Sequence, residues 1–422
     1  MAIQWKLLSI AITVSLLYEG PYGYQYDILN TPQTTVQHFV VTSFEARYGI
    51  SLSETGIRSG IASSTAAIFL LESSSDNMNG MVASTIDLCG AMGTTLGFLL
   101  GMPGLLGTAQ NWHVLLGLDV VCTILALIAT PLLPESPKYQ LLVRKKPKKA
   151  AKCVKFYHGK DADSAAIIGK ILNEESGATE DATKMSKFEL IKVYRKTLLL
   201  SALVGLMPTI SGYQALGSYS TPILTKAGFS ESLAGLYTLI MGGFDLMGAV
   251  FSLYLNRHVP RRTALLTALS FTLLANVGMF ILLHQQDSSA LTARALYLVH
   301  GTGSLMFIVA GVAALSINPS ATMLPSELGT QPVRALATSL SFGALAVGDV
   351  VGKFTLWPLY DSVGHYIFLG LAALTSVSFT ILYHFLPETY SGKPVKALVA
   401  GTDAKVVQAT AKTDMKIKTN PV

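Results

Sequence analysis

The chain has 422 residues, half of them hydrophobic and only 13% charged, and its mean hydropathy is +0.47. Soluble domains carry about 25% charged residues, so a surface given wholly to water is excluded and lipid is the simple alternative. The net charge of +6 does not mark a nucleic-acid binder, because 15 of the 31 Lys and Arg fall between Glu135 and Lys196 against 8 acids, and the rest is close to neutral.

From the N-terminus, Met1 to Lys6 gives way to an apolar run. No small-residue cleavage site follows it. Tyr18-Glu19-Gly20-Pro21-Tyr22 continues the segment instead, so a first membrane span is expected rather than a cleaved signal peptide. A membrane helix needs ~20 mostly apolar residues. That criterion predicts spans near 7–26, 55–71, 79–102, 112–133, 199–225, 233–255, 263–284, 295–317, 334–357 and 364–386. The fold expected is therefore an all-α membrane protein with about ten spans. Gly90, Gly93 and Gly97 lie in the third of these, where small residues let helix backbones approach in lipid. Pro208, between Gly205 and Gly217, predicts a broken helix.

The polar stretch from Glu135 to Lys196 separates four spans from six. It reads as short amphipathic helices at Lys149–Phe156, Ala165–Leu172 and Phe188–Tyr194. Basic loops beside spans stay in the cytoplasm, so this loop is expected there. Four regions follow: an incomplete N-terminal bundle over 1–134, the loop over 135–196, a six-helix bundle over 197–390 and a polar tail over 391–422 that is expected to be disordered. Cys89, Cys122 and Cys153 are too few and too scattered for a disulfide framework, and none forms a CxxC pair. No Asn-x-Ser/Thr acceptor lacks a proline at x, so N-glycosylation is not expected.

Six motifs occur in one order. Pro134-Glu135-Ser136-Pro137-Lys138-Tyr139 is followed by Arg144. Asn256-Arg257-His258-Val259-Pro260-Arg261-Arg262-Thr263 makes a basic turn. Glu327-Leu328 precedes Arg334, and Pro387-Glu388-Thr389 closes the last span. Ser211-Gly212-Tyr213-Gln214-Ala215 leads into Tyr219-Ser220-Thr221, and Gly23 to Gln33 ends the first span. Together they resemble the sugar porters of the major facilitator superfamily, the facilitative glucose transporters. The resemblance implies two six-helix bundles, yet here about ten spans replace twelve. Ile61–Phe69 looks like the start of helix two and Glu72-Ser73-Ser74 like the loop before helix five, so helices three and four are expected to be missing. That pair runs in and out again, so its loss leaves both termini in the cytoplasm.

The resemblance implies that Glu135, Arg144, Arg261, Arg262, Glu327, Arg334 and Glu388 are gating charges on the cytoplasmic side; ordinary snorkelling charges are the plainer reading. It also implies where solute binds. A sugar site needs amides that both donate and accept, and an aromatic face. Carried over position by position, the family's paired glutamines fall on Pro208 and Thr209, one asparagine on Gln214, the helix five glutamine on Asp87, the helix eight asparagine on Asp245 and the helix ten tryptophan on Thr322. Helix eleven, near Ala344–Val347, offers no amide. An acid inside a membrane is a functional hypothesis by default. Asp87 and Asp245 are read either as groups that bind a cation or polyol or carry a proton, or as acids paired inside the bundle. The bland reading of Gln25, Asn30 and Gln33 is loop hydration, the functional one an entrance contact.

The resemblance implies a solute carrier for a hexose or related polyol, working by alternating access in the plasma membrane. A non-transporting relative, acting as a sensor or modulatory partner, is the alternative. No nucleophile–base constellation, metal-ligand spacing or phosphate loop is present, so neither enzyme nor cofactor is expected. Expected partners are the solute and the bilayer, with no nucleic acid and the oligomeric state open.

Overall fold

The computed structural model describes residues 79–102, most of 104–118, positions 121, 124 and 128, 133–159, 162–172 apart from 170, 191–287, 293–328 and 331–388, together with Ile12, Thr13 and Ser15. The expected spans at 7–26 (those three positions apart) and 55–71, the inferred gap at helices three and four, and the 391–422 tail lie outside the described residues. The expected 112–133 span is described only at scattered positions.

Among the described residues the regular structure is helical, without strands. The first helix is α1 (Asn79–Leu100). After the Pro134 motif, a short π turn over Tyr139–Val143 leads to α2 (Pro147–His158). Then come α3 (Arg195–Ile210), α4 (Tyr213–Lys226), α5 (Glu231–His258) and α6 (Arg261–Asp287). Next are α7 (Ala293–Val312), a second π turn over Ala313–Ile317, and α8 (Asn318–Leu328). The last two are α9 (Gln331–Val363) and α10 (Tyr366–Phe385). Among the described residues, six helical stretches are long and apolar enough to cross a membrane, each overlapping a predicted span from 199 onward. The chain is a multi-pass membrane protein.

Local chemistry sets these boundaries. The Ser230 hydroxyl accepts the Leu233 amide and caps α5, with Glu231 in the first turn. α4 ends on Gly228 at φ +107°. There the Phe229 amide reaches the Leu224 carbonyl and the Gly228 amide reaches Thr225, both at 3.0 Å. This is the paired closure that a left-handed residue allows. Two spans run longer than predicted. The 295–317 span continues to Leu328 because the π turn absorbs the register change and Pro319 falls in the first turn of α8, where an amide hydrogen is not needed. The 334–357 span continues to Val363 because Leu356 and Tyr360 are buried against the bundle.

Among the described residues from Arg195 to Phe385, the two largest apolar clusters form the core. One gathers Val204, Met207, Leu265, Leu269, Ile317 and Leu324 around α3. The other gathers Leu216, Ile223, Leu224, Met241, Met279 and Met306 around α4, and Phe98 of α1 joins it. Between helices in lipid, close packing and hydrogen bonds replace the hydrophobic drive. The loop helix α2 is amphipathic as predicted. Ala150, Cys153, Val154 and Tyr157 are buried at helical spacing, while Lys148, Lys149, Lys152 and Lys155 are exposed. Tyr157 donates to the Pro134 carbonyl, which ties the loop to the end of the first half.

Candidate functional site

The site begins at a helix break. Pro208 removes one amide from α3, and the path stops at Ile210. Gly212 takes φ +84°, a left-handed conformation natural to glycine. Tyr213 then restarts the helix as α4. Breaking a helix frees backbone carbonyls that must be satisfied inside a bundle. Thr375 Oγ1 of α10 donates to the Ile210 carbonyl at 3.1 Å. Asn276 Nδ2 of α6 donates to the Ser211 carbonyl at 2.9 Å. The break predicted beside Pro208 is therefore a fixed feature, held from two neighbouring helices.

Two predicted site residues face each other across it. Thr209 donates its hydroxyl to Gln214 Oε1, and Gln214 is buried. Thr209 also packs against Gly348 and Gly352 of α9, where a side chain would collide with it. Just beyond the break, Tyr213 and Gly217 of α4 meet Thr94 and Phe98 of α1, Met241, Gly242 and Asp245 of α5, and Ala310 of α7 around a small cavity. Its room of about 10 Å³ is close to that of one water. Asp245 is 3% exposed and its Oδ1 has no hydrogen-bond partner, while its carboxylate takes the Tyr213 hydroxyl.

The other predicted binding residues sit apart from this cavity. Asp87 is half-buried on α1, about two turns before Thr94. Thr322 is buried in α8 and donates to the Pro319 carbonyl at 2.9 Å. The helix-eleven reading stopped at Ala344–Val347 and overlooked its charges. Asp349 Oδ1 and Lys353 Nζ of α9 lie 3.5 Å apart, both half-buried inside a span. Their i,i+4 spacing in an apolar run was the available signal. Tyr219 donates to the Lys353 carbonyl at 2.8 Å and stacks on Trp357 with centroids 5.4 Å apart. Thr238 bridges Ser220 and Thr221 at 3.0 and 2.7 Å and so pins α4 to α5.

The charges of the motifs form three groups. Arg261 at the start of α6 pairs with Glu327 near the end of α8. The Arg262 amide reaches Glu388 Oε1 at 3.5 Å, and its guanidinium donates to the Tyr383 carbonyl and lies over the Tyr383 ring. Glu135 lies 4.0 Å from Arg144 and accepts Gln140 Nε2 at 2.6 Å. Each of these contacts stays within one half of the chain or within the loop. The Arg334 side chain lies outside the described residues. Among the described residues, α1 is joined to α5 by apolar packing and by neutral hydrogen bonds. Thr95 donates to the Gly242 carbonyl at 2.9 Å, and Asn256 Nδ2 donates to Ser84 Oγ at 2.8 Å.

The family model described as "Sugar (and other) transporter" matches residues 54–396. The chain belongs to this family. Among curated relatives, facilitated glucose transporter member 2 of Gallus gallus is 25% identical over 362 residues, covering 86% of this chain and 66% of that protein. Facilitated glucose transporter member 9 of Homo sapiens is 28% identical over 344 residues, covering 79% of this chain and 61% of that protein. The chain thus spans less than two thirds of the length of these relatives. A solved structure of the major facilitator superfamily proton:xylose symporter XylE, bound to 6-bromo-6-deoxy-D-glucose, is 14% identical with a TM-score of 0.63. The match covers 93% of this chain and 88% of that one. It shows the shared fold, that of the major facilitator helical bundles.

Proposed function

We propose that this chain is a plasma-membrane carrier that moves a hexose or related polyol by alternating access, with both termini in the cytoplasm. The observation that carries the reading is the broken helix at Ser211–Gly212, whose restart presents Tyr213 beside buried Asp245 at the meeting of α1, α4, α5 and α7. Broken helices at the midplane, between two halves, are where carriers of this architecture hold solute. Gln214, Thr209, Asp245 and Tyr213 are the groups assigned to solute hydroxyls, with Asp87 and Thr322 at the margins of the path. An acid in place of an amide accepts hydrogen bonds without donating them, which suits a hydroxyl-rich solute. The glucose transporters that the chain resembles support the substrate class.

The motif charges fit a gate on the loop side. Arg261 and Glu327 are largely shielded, and breaking such a pair leaves an uncompensated charge. The account therefore has Arg261–Glu327 and Arg262–Glu388 fixing the ends of α6, α8 and α10 in one state and releasing them in the other, with Glu135, Arg144 and Arg334 on the loop side. The test is uptake of labelled hexoses and polyols by cells lacking their own hexose porters, with surface labelling as control. Saturable uptake that Gln214→Ala and Asp245→Asn diminish supports the reading. A folded surface population with no uptake across the panel overturns it and leaves the non-transporting role.

A further inference from the structure

At the end of the C-terminal bundle opposite the Arg261–Glu327 pair, two histidines meet. His284 lies in the last turn of α6, and His365 immediately precedes α10. His284 Nδ1 is 3.1 Å from His365 Nε2, and the ring centroids are 5.2 Å apart. His284 is exposed and His365 half-buried. The Phe280 ring stacks on His284 at 5.7 Å and the Tyr366 ring on His365 at 4.6 Å, which limits how far either imidazole can swing. None of these residues lines the cavity beside Asp245.

With neither ring charged, the facing nitrogens share one N–H···N hydrogen bond, one donating and one accepting. The same spacing suits another occupant. Two imidazole nitrogens on a tetrahedral ion, each ~2.05 Å from it, stand about 3.3 Å apart. The observed 3.1 Å needs only a small adjustment. We propose that His284 and His365 form a binding site for a divalent transition-metal ion of the Zn²⁺ or Cu²⁺ class, bridging α6 and α10, with water filling the remaining positions. Imidazole ligands favour such ions over Mg²⁺ and Ca²⁺, which prefer oxygen. The proton balance closes. The donor ring moves its N–H to its other nitrogen, both lone pairs then face the ion, and no proton is lost. The ion bridges the ends of two helices that also pack along their length, so its binding stabilises the bundle by mass action.

The experiment uses the purified full chain without a polyhistidine tag, titrated with ZnCl₂, CuCl₂ or MgCl₂ and read by calorimetry and thermal unfolding. Expected are one saturable Zn²⁺ site per chain, a raised Tm with Zn²⁺, tighter binding of Cu²⁺ than of Zn²⁺, and no effect of Mg²⁺. His284→Ala and His365→Ala each weaken Zn²⁺ binding at least tenfold and abolish the Tm rise. His300→Ala, which removes a histidine bonded to Tyr237 elsewhere, leaves both intact. His284→Gln replaces the alanine variant if that one unfolds, and is read the same way. Zn²⁺ affinity equal in wild type and either variant, or no Zn²⁺ binding by wild type below millimolar concentration, overturns the proposal.

Discussion

Gly242 offers a controlled perturbation of the seam between the halves. A Cβ there stands 2.8 Å from Phe98 Cδ2 and 3.3 Å from Thr95 Oγ1, whereas a Cβ on the next residue, Gly243, meets nothing within 4 Å. Ordinary contact begins near 3.4 Å, so the first clash is about 0.6 Å deep. Phe98 is 1% exposed and cannot retreat into lipid. Its free direction is the small cavity that it lines with Asp245. Both Gly→Ala changes gain about 0.8–1 kcal/mol of helix propensity, so their difference isolates the overlap. Overpacking of this kind costs about 1–3 kcal/mol, a Tm gap of about 1–3 °C between Gly242→Ala and Gly243→Ala in a chain of this length. Thermal unfolding of the two purified variants measures it. In uptake assays Gly242→Ala raises the solute KM several-fold, because Phe98 intrudes on the site, and Gly243→Ala does not. Equal Tm values and equal KM values for the two variants would refute the reasoning.

Three further expectations concern other parts of the molecule. Asn276→Ala strands the buried Ser211 carbonyl and lowers stability by about 1–3 kcal/mol; a Tm equal to wild type contradicts the account of the helix break. A double-mutant cycle with Arg261→Ala and Glu327→Ala gives a coupling of about 1–3 kcal/mol in unfolding free energy, and strict additivity counts against the ion pair. Burial pushes the Cys153 thiol up, so little thiolate exists near neutral pH. Maleimide labelling of Cys153 at pH 7.5 is accordingly at least tenfold slower than of glutathione, and it accelerates on unfolding. Labelling as fast as glutathione's in the folded chain removes the packing claimed for α2.

The parts of the fold governed by neighbouring residues were legible in the sequence. Pro208, between Gly205 and Gly217, announced a broken helix, and the apolar face of Lys149–Phe156 announced α2. Six spans of the second half followed from hydropathy. What depends on distant contacts was not legible. Nothing in the Asn276 region says that its amide reaches the Ser211 carbonyl, 65 residues away. Thr95 likewise gives no sign that it bonds to Gly242. The end of α8 was missed because a π turn can carry a helix across Asn318-Pro319, which composition alone reads as a boundary. Around the break, position-by-position comparison pointed to Gln214, Thr209 and Asp245, which the fold gathers near one another, whereas the Asp349–Lys353 pair one turn apart escaped a search confined to amides. Nor does sequence show that, among the described residues, the motif charges pair within single halves while α1 meets α5 through Thr95, Ser84, Asn256 and the packed Phe98 ring.

The central claim is that solute crosses by alternating access at the broken helix. The most direct measurement is counterflow with purified protein in liposomes preloaded with unlabelled hexose or polyol. The account predicts that labelled solute accumulates transiently above its equilibrium level in preloaded vesicles, and that Gln214→Ala and Asp245→Asn reduce the overshoot at unchanged reconstitution. Entry that is linear in concentration, indifferent to preloading and equal in both variants would contradict it, since a carrier site that returns loaded cannot behave as a passive leak.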